Sequence, residues 1–310
     1  MTEKLILDLV KTASFAAAAA SMQAGLGDNE AADRAAVSAM RKYLNEIDMD
    51  GEIKIGEGER DKAPMLYIGE KVGTGKGEKI DIALDPLEGT SICANYAEGA
   101  LSVIAAAPAG KMLHAPDIYM EKIAIGKDLP ENIVDLDEDS VTNLKNLAKA
   151  KKCNTQDLKA IILDRPRHQE LISSLRKLGV RIKLIKDGDI SAILEVAYGD
   201  ADIYIGIGGA PEGVLAAAAM KAIGGQLQCR LIFSSDQEIE RARLMNIKDI
   251  KAKYNPKDMV GEDSIFVAAG VTDGALLKGI RKTSGKIITE SLVTDSGKRI
   301  IYKLSTCYFV

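Results

Sequence analysis

Three features of the sequence predict a mixed α/β fold. Residues 158–223 alternate short apolar runs with helix-forming ones in a βαβαβα rhythm, the pattern of a largely parallel sheet flanked by helices. The first 47 residues are rich in Ala and Leu, contain no proline, and read as two helices parted by glycines. Between these regions, Lys79–Leu84 and Ala100–Ala107 are short apolar runs that read as buried strands.

In chain order, a helix is expected from about Glu3 to Ala24, ended by Gly25-Leu26-Gly27-Asp28. Asp28 or Asn29 can cap a second helix reaching about Ile47, with Ala31, Ala32, Ala35, Ala36, Val37 and Met40 inward. Asp33 lies one turn into it, where burial would be costly without a partner or a cation, so exposure is expected. Ile53 and Ile55 alternate with charged residues, as in a half-buried or edge strand, and Glu57 follows in a loop between Gly56 and Gly58. Gly73–Gly77 lacks the spacing of a nucleotide-binding loop and reads as a hairpin turn. The Lys79–Leu84 strand should stop at Pro86, which cannot donate to a ladder, so Asp85 is delivered at the carboxyl end of a core strand. After Ala100–Ala107, an extended stretch runs from Pro116 through Ile125. A polar, acidic segment at 126–154, with one helix from Ser140 to Lys151, divides residues 1–150 from residues 151–310. The second half carries strands at 158–163, 181–185 and 201–207 and helices at 169–178, 190–197 and 211–223. Residues 234–257 read as a polar surface helix, and 264–269, 286–293 and 299–304 as further strands.

Composition narrows the function. The chain has 310 residues, 46% hydrophobic and 28% charged, which suits a soluble globular protein with a large core. A net charge of −4 argues against a nucleic-acid footprint. The Ala16–Ala20 run is too short to span a bilayer and no leader-like segment precedes it, so no membrane partner and a cytoplasmic location are expected. Four dispersed cysteines without a CxxC pair read as reduced, structural thiols. With two histidines, a metal here would have to be held by oxygen, which favours Mn²⁺ or Mg²⁺ over zinc or copper.

The chemistry concentrates around Asp85-Pro86-Leu87-Glu88-Gly89-Thr90-Ser91: two carboxylates, hydroxyls and uncovered amides within a few residues, suited to metal ions holding a phosphate. The plainer reading is a turn in which Asp85 and Glu88 satisfy local N–H groups. Ligands in open α/β sheets bind beyond the carboxyl ends of the strands. Those ends carry Asp164-Arg165-Pro166-Arg167-His168, Asp187-Gly188-Asp189 and Gly208-Gly209-Ala210-Pro211-Glu212-Gly213. If Asp33, Glu57, Asp85, Glu88 and Glu212 converge, each pair at about 4 Å repels by roughly 4 kcal/mol, which bound cations would relieve. Arg165 and Arg167 could grip a phosphate bidentately, or serve as ordinary surface ion-pair partners. Asp187 and Asp189 are acceptors suited to sugar hydroxyls.

The Asp85–Thr90 segment resembles the signature of lithium-sensitive, metal-dependent phosphomonoesterases, which include the inositol monophosphatases. A narrower resemblance comes from Ile55-Gly-Glu-Gly-Glu-Arg-Asp-Lys-Ala-Pro-Met-Leu-Tyr-Ile-Gly-Glu70, Ala115-Pro-Asp-Ile-Tyr-Met120, Asp164–His168, Asp187–Asp189 and Gly206–Gly213. Together they are similar to class II fructose-1,6-bisphosphatases, some of which also act on sedoheptulose-1,7-bisphosphate. That resemblance implies a layered αβαβα sandwich and a homodimer or homotetramer. It implies hydrolysis of the 1-phosphate of fructose-1,6-bisphosphate by metal-activated water, without a covalent enzyme intermediate. It marks Asp33, Glu57, Asp85, Glu88 and Glu212 as metal-site acids. Glu88, Gly89, Thr90, Tyr119, Arg165, Pro166, Arg167, Asp187, Gly188, Asp189, Gly209 and Glu212 are marked as substrate contacts. Thr90, Asp33, Asp61 and Glu212 are the catalytic candidates; whether Asp33 holds metal or orients Thr90 stays open. On this division, residues 1–150 carry the metal site and residues 151–310 the sugar-phosphate contacts. The chain departs from the family at Asn29-Glu30, where Lys-Asn is usual. That change keeps two alternatives in view: an inositol-monophosphatase-like enzyme with another small substrate, and a weakly catalytic sugar-phosphate sensor.

Overall fold

The computed structural model describes residues 1–58 and 64–309. The chain folds into two compact units, one made of Met1–His114 with Met259–Val310, the other of Ala115–Asp258. The sequence-based division at residue 150 falls at the end of a helix inside the second unit, and the C-terminal strands belong to the first. Along the chain run α1 (Glu3–Ser21), α2 (Asn29–Leu44), β1 (Met49–Ile55), β2 (Lys71–Val72), β3 (Glu78–Glu88), α3 (Thr90–Ala94) and β4 (Leu101–Pro108). There follow β5 (Tyr119–Ile125), α4 (Ser140–Lys151), β6 (Lys159–Leu163), α5 (Gln169–Lys177), β7 (Arg181–Ile185), α6 (Asp189–Tyr198), β8 (Ile203–Gly209), α7 (Ala210–Ile223), β9 (Gln226–Leu231) and α8 (Asp236–Leu244). The last elements are α9 (Pro256–Val260), β10 (Ile265–Gly270), β11 (Arg281–Thr283), β12 (Lys286–Asp295) and β13 (Ile300–Phe309). With two mixed sheets and helices packed on them, the protein is of the mixed α/β class.

In the first unit the sheet order is β11-β12-β10-β4-β3-β1-β2, with β13 paired to β12. Only β1 and β3 run parallel; β3, β4, β10 and β12 are successively antiparallel. Helices α1 and α2 cover one face: Leu9, Ala13, Ala16 and Ala17 of α1 and Val37 and Met40 of α2 share a core with Ile80, Ile82, Ile104 and Val267. Alanines on the buried side of α1 let its backbone approach the sheet closely. Truncating one of the few large side chains there, Leu9→Ala, should cost about 2–5 kcal/mol. Both helices begin as the sequence suggests: the Thr2 hydroxyl accepts from the Leu5 N–H and the Asp28 carboxylate from the Ala31 N–H.

Two expectations in this unit need correction. Strand β3 does not stop at Pro86 but continues to Glu88. Asp85 sits opposite Val103 and Glu88 opposite Leu101, so the strand takes three steps where its partner takes two. This is a bulge, the one interior place where a residue lacking an N–H is tolerated. The Gly73–Gly77 stretch is not a hairpin turn either, because β2 and β3 flank β1 on opposite sides. It crosses the end of β1, with the Thr74 and Gly75 amides donating to the Ile47 and Met49 carbonyls. A Cβ at Gly77, where φ is +99°, would lie 2.6 Å from the Asp48 carbonyl oxygen, so the crossing requires glycine.

The second unit has a five-stranded sheet ordered β7-β6-β8-β5-β9. The βαβαβα stretch supplies parallel β7, β6 and β8, while β5 and β9 add antiparallel strands, so the sheet is mixed rather than mostly parallel. Strand alternation sorts β5 cleanly. Ile123 and Ile125 join Ile203, Ile205, Leu144 and Leu147 of α4 and Ile172 and Leu175 of α5 in a second apolar core. Met120, Lys122 and Ala124 point to the opposite face.

Candidate active site

In the first unit, the charges of two acidic side chains, Asp85 and Asp33, act on a third, Glu57. Glu57 follows β1 in the Gly56-Glu57-Gly58 loop, and close packing explains the flanking glycines. A Cβ at Gly56 would fall 2.1 Å from the Leu66 carbonyl oxygen, and Gly58 has φ +128°. The loop is held by the Glu57 N–H donating to Leu66 O and the Ile68 N–H donating to Gly58 O, each at 3.0 Å. The Glu57 carboxyl is pushed up to about 9, first by burial and then by the charges of Asp85 and Asp33. Asp33 is half-buried on α2 rather than exposed, and burial raises its carboxyl as well, against the pull of Arg34.

Asp85 and Glu88 stand on either side of the β3 bulge. One Asp85 oxygen accepts from the Leu87 N–H at 2.9 Å, spanning Pro86, so the local-turn reading describes that oxygen. A carboxylate oxygen of Asp85 also lies within 4.8 Å of one of Glu88, whose side chain is buried. Gly89 follows with φ +81°, and a Cβ there would meet Ile92 at 2.9 Å. This left-handed residue turns the chain so that Thr90, half-buried, opens the short helix α3. The donor set is all oxygen; burial raises Glu57 and Asp33, and the charges of Asp85 and Asp33 raise Glu57 further. The group could hold a metal ion of the hard, oxygen-seeking kind.

The second unit treats its acids differently. Lys122 is fully buried and donates to Asp189 Oδ2 at 2.6 Å, while the Tyr204 hydroxyl donates to the same oxygen at 3.0 Å. Burial alone would lower the Lys122 ammonium, but Asp189, Glu212 and the hydrogen bond to Asp189 outweigh it and push it up. Glu212, in the first turn of α7, has its carboxyl raised by burial, with Lys122 pulling the other way. Its Oε2 is buried without a hydrogen-bond partner among the described residues, the condition of an atom that a cation or hydroxyl satisfies. Gly208 and Gly209 make room for both acids. Added Cβ atoms would lie 1.8 Å from Asp189 Oδ2 and 2.0 Å from Glu212 Oε2 respectively.

The Arg165-Pro166-Arg167-His168 segment forms a turn of 3₁₀ helix. Buried His168 braces it: Nδ1 donates to the Leu163 carbonyl and Nε2 accepts the Ile207 N–H, each at 2.8 Å. Burial pushes the ring below its usual range, consistent with this neutral form. Arg167 is preoriented on the surface, with Nε and Nη2 donating to the Ile207 carbonyl and the guanidinium 4.7 Å from the centre of the exposed Tyr119 ring. Arg165 is half-buried and Asp187 half-buried, whereas Asp189 is turned inward on Lys122. Asp187 accepts from the N–H of Gly188, which has φ +91° and precedes α6. Asp61 lies outside the described residues. Glu30 is exposed and pairs with Arg34 at 3.1 Å one turn on. Lys122, Tyr204 and the brace of His168 were not singled out in the sequence. The available signal was a lysine on the otherwise apolar face of β5.

The acid-rich segments define a site that could hold a metal ion, and sequence comparison gives its class. Residues 3–308 match the family model described as bacterial fructose-1,6-bisphosphatase, glpX-encoded. A protein of Haemophilus influenzae named fructose-1,6-bisphosphatase class 2 is 40% identical, covering 100% of this chain and 97% of its own. One from Synechocystis sp., named D-fructose 1,6-bisphosphatase class 2/sedoheptulose 1,7-bisphosphatase, is also 40% identical, covering 96% and 93%. A Trichodesmium erythraeum protein of the same double name is 40% identical over 94% of this chain and 92% of its own. The chain belongs to the glpX-encoded, class 2 fructose-1,6-bisphosphatase family, and is a phosphoric monoester hydrolase. Among the described residues no helix is long and apolar enough to cross a membrane, and all four cysteines are free thiols.

Proposed function

We propose that this protein hydrolyses the 1-phosphate of fructose-1,6-bisphosphate, yielding fructose-6-phosphate and inorganic phosphate. The observation that carries the reading is family membership over residues 3–308, with relatives named for that activity along nearly their full length. In this reading Asp33, Glu57, Asp85 and Glu88 hold divalent cations, Mn²⁺ or Mg²⁺, and Glu212 serves as a metal ligand or a sugar contact. Bound ions would neutralise charge on the transferring phosphoryl group and lower the pKa of the attacking water. Thr90 orients that water and passes its proton to a carboxylate, Asp33 first and Asp61 second. Arg167, stiffened by Tyr119 and Ile207, offers its remaining N–H groups to the phosphate that does not react, with Arg165 beside it. Pro166 shapes that turn. Glu88, Gly89, Asp187, Gly188, Asp189 and Gly209 frame the sugar phosphate. The enzyme works in the cytoplasm as a homodimer or homotetramer.

Phosphate release tests the reading directly. The assay compares fructose-1,6-bisphosphate, sedoheptulose-1,7-bisphosphate, fructose-1-phosphate and inositol-1-phosphate, with Mn²⁺ and after exhaustive chelation. The bisphosphates should be preferred and chelation should abolish turnover; a preference for the inositol phosphate, or full activity without metal, would overturn it. Thr90→Val keeps the shape but removes the hydroxyl, so kcat should fall by about 10²–10⁴ with substrate binding intact. Thr90→Ser should keep much of the activity. If Thr90→Val stays within a few-fold of the parent, the hydroxyl is not part of a proton relay.

A further inference from the structure

Lys122 stands out among the charged groups of the second unit. It is fully buried in the middle of β5, on the face toward α6 and α7, with Gly206 directly opposite on β8 and Cys229 opposite on β9. The polar and titratable groups around it are Asp189, Tyr204, Glu212 and Cys229. A buried ion pair is usually no more stabilising than apolar residues of the same volume. Stability therefore gives little reason for a lysine here, where Leu or Met would fill the sheet face.

Its geometry offers another reason. Lys122 Nζ and the Tyr204 hydroxyl both donate to one oxygen of Asp189, which fixes that side chain from two directions. Asp189 is the first residue of α6, and the residue before it, Gly188, is left-handed. Holding Asp189 therefore holds the corner that carries Asp187, two residues upstream and half-buried. The bare Gly208 keeps the space beside Lys122 and Asp189 open: a Cβ there would lie 1.8 Å from Asp189 Oδ2 and 3.0 Å from Lys122 Nζ.

We propose that Lys122 is a positioning residue: by clamping Asp189 it sets the Asp187–Gly188–Asp189 corner so that Asp187 presents its carboxylate to the hydroxyls of a bound sugar phosphate. Asp189 then frames the sugar phosphate through the corner it holds, and Asp187 is the residue that meets it. This rests on the bisphosphatase reading above.

The test measures kcat and KM for fructose-1,6-bisphosphate at saturating Mn²⁺, together with Tm without substrate. Four variants are compared: Lys122→Met, Lys122→Met with Asp189→Leu, Asp187→Ala and Tyr204→Phe. Lys122→Met should lower Tm and raise KM at least tenfold, because Asp189 is left charged and without its lysine. The double variant should regain much of that Tm, since neither member of the ion pair is left buried without the other, yet keep the raised KM. Asp187→Ala should raise KM to a similar extent with the parental Tm, and adding it to the double variant should raise KM no further. Recovery of both Tm and KM in the double variant would overturn the proposal, making the pair a packing element only. A parental KM in Asp187→Ala would overturn it too. If neither Lys122 variant folds, Tyr204→Phe decides: a KM raised several-fold supports the clamp, and an unchanged KM overturns it. A parent protein that releases no phosphate from the bisphosphate overturns the functional reading itself, and this outcome is distinct from the others.

Discussion

Asp189 of the second unit and Glu57 of the first meet burial in opposite ways. In the second unit, Asp189 is neutralised by a lysine and takes a further hydrogen bond from a tyrosine, both supplied by the fold itself. In the first, the charges among the described residues that act on Glu57 are both negative, Asp85 and Asp33, and its carboxyl is displaced to about 9. The contrast recurs along β3 alone. Asp81, four residues before Asp85, accepts the N–H groups of Gly110, Lys111 and Met112 at 2.6, 3.1 and 3.3 Å. A carboxylate whose lone pairs are taken by backbone amides is structural. One that burial and like charge push toward protonation would be relieved by a cation. The difference lies in the compensation, not in the residue type.

The largest expected effect sharpens that distinction. Asp85→Asn removes a charge from the mutually repelling acids and should cost turnover several kcal/mol of transition-state stabilisation, roughly a thousandfold. Asp81→Asn should instead lower Tm and leave kcat of the folded fraction near the parental value. Comparable kcat losses in both variants would erase the distinction between the two ends of the strand.

The next effect is on binding in the second unit. Losing a charge-assisted hydrogen bond costs about 1.5–3 kcal/mol, so Arg167→Ala should raise KM for the bisphosphate roughly ten- to a hundredfold. Fructose-1-phosphate, which lacks the second phosphate, should be almost indifferent. Arg167→Lys should recover little, because a lysine cannot both chelate the Ile207 carbonyl and lie flat on Tyr119. Equal losses on both substrates would mean that Arg167 serves folding and not the phosphate.

Much of this arrangement is legible in the sequence, and the misses share a cause. Helix α4 occupies the residues its composition predicts, and Asp28 caps α2 as expected, because both signals are local. The bulge at Pro86 was missed because it depends on how β3 and β4 pair, which no local signal reports. For the same reason β9, with polar residues at every second position, escaped notice, and so did the return of the tail to the first unit. Lys122 was passed over because a lysine in a strand ordinarily points to solvent; only its neighbours Met120 and Ala124, both buried on the same face, argue otherwise. Asp187 and Asp189 look equivalent in sequence. The left-handed Gly188 between them is what sends Asp189 inward.

The smallest expected effect, taken per pH unit, tests whether Glu57 is uncompensated in the metal-free protein. Its carboxyl has an ordinary value of 4.5 and is raised to about 9 in the fold. Between those values the folded state holds a proton that the unfolded state releases. The stabilisation is therefore fully present below about pH 4.5 and is lost as pH rises through 9. A single group changes the unfolding free energy by at most about 1.4 kcal/mol per pH unit. For a protein of this size, that is roughly 2–4 °C in Tm per pH unit at most. After chelation, Tm should fall as pH is raised from about 5 to about 9, and Glu57→Gln should remove most of that slope because it cannot ionise. Mn²⁺ must displace the proton to bind, so the Tm increment it produces should grow across the same window in the parent and shrink in Glu57→Gln. If the chelated parent and Glu57→Gln show the same pH dependence, Glu57 ionises freely in the fold, and the contrast between the two acid groups loses its electrostatic basis.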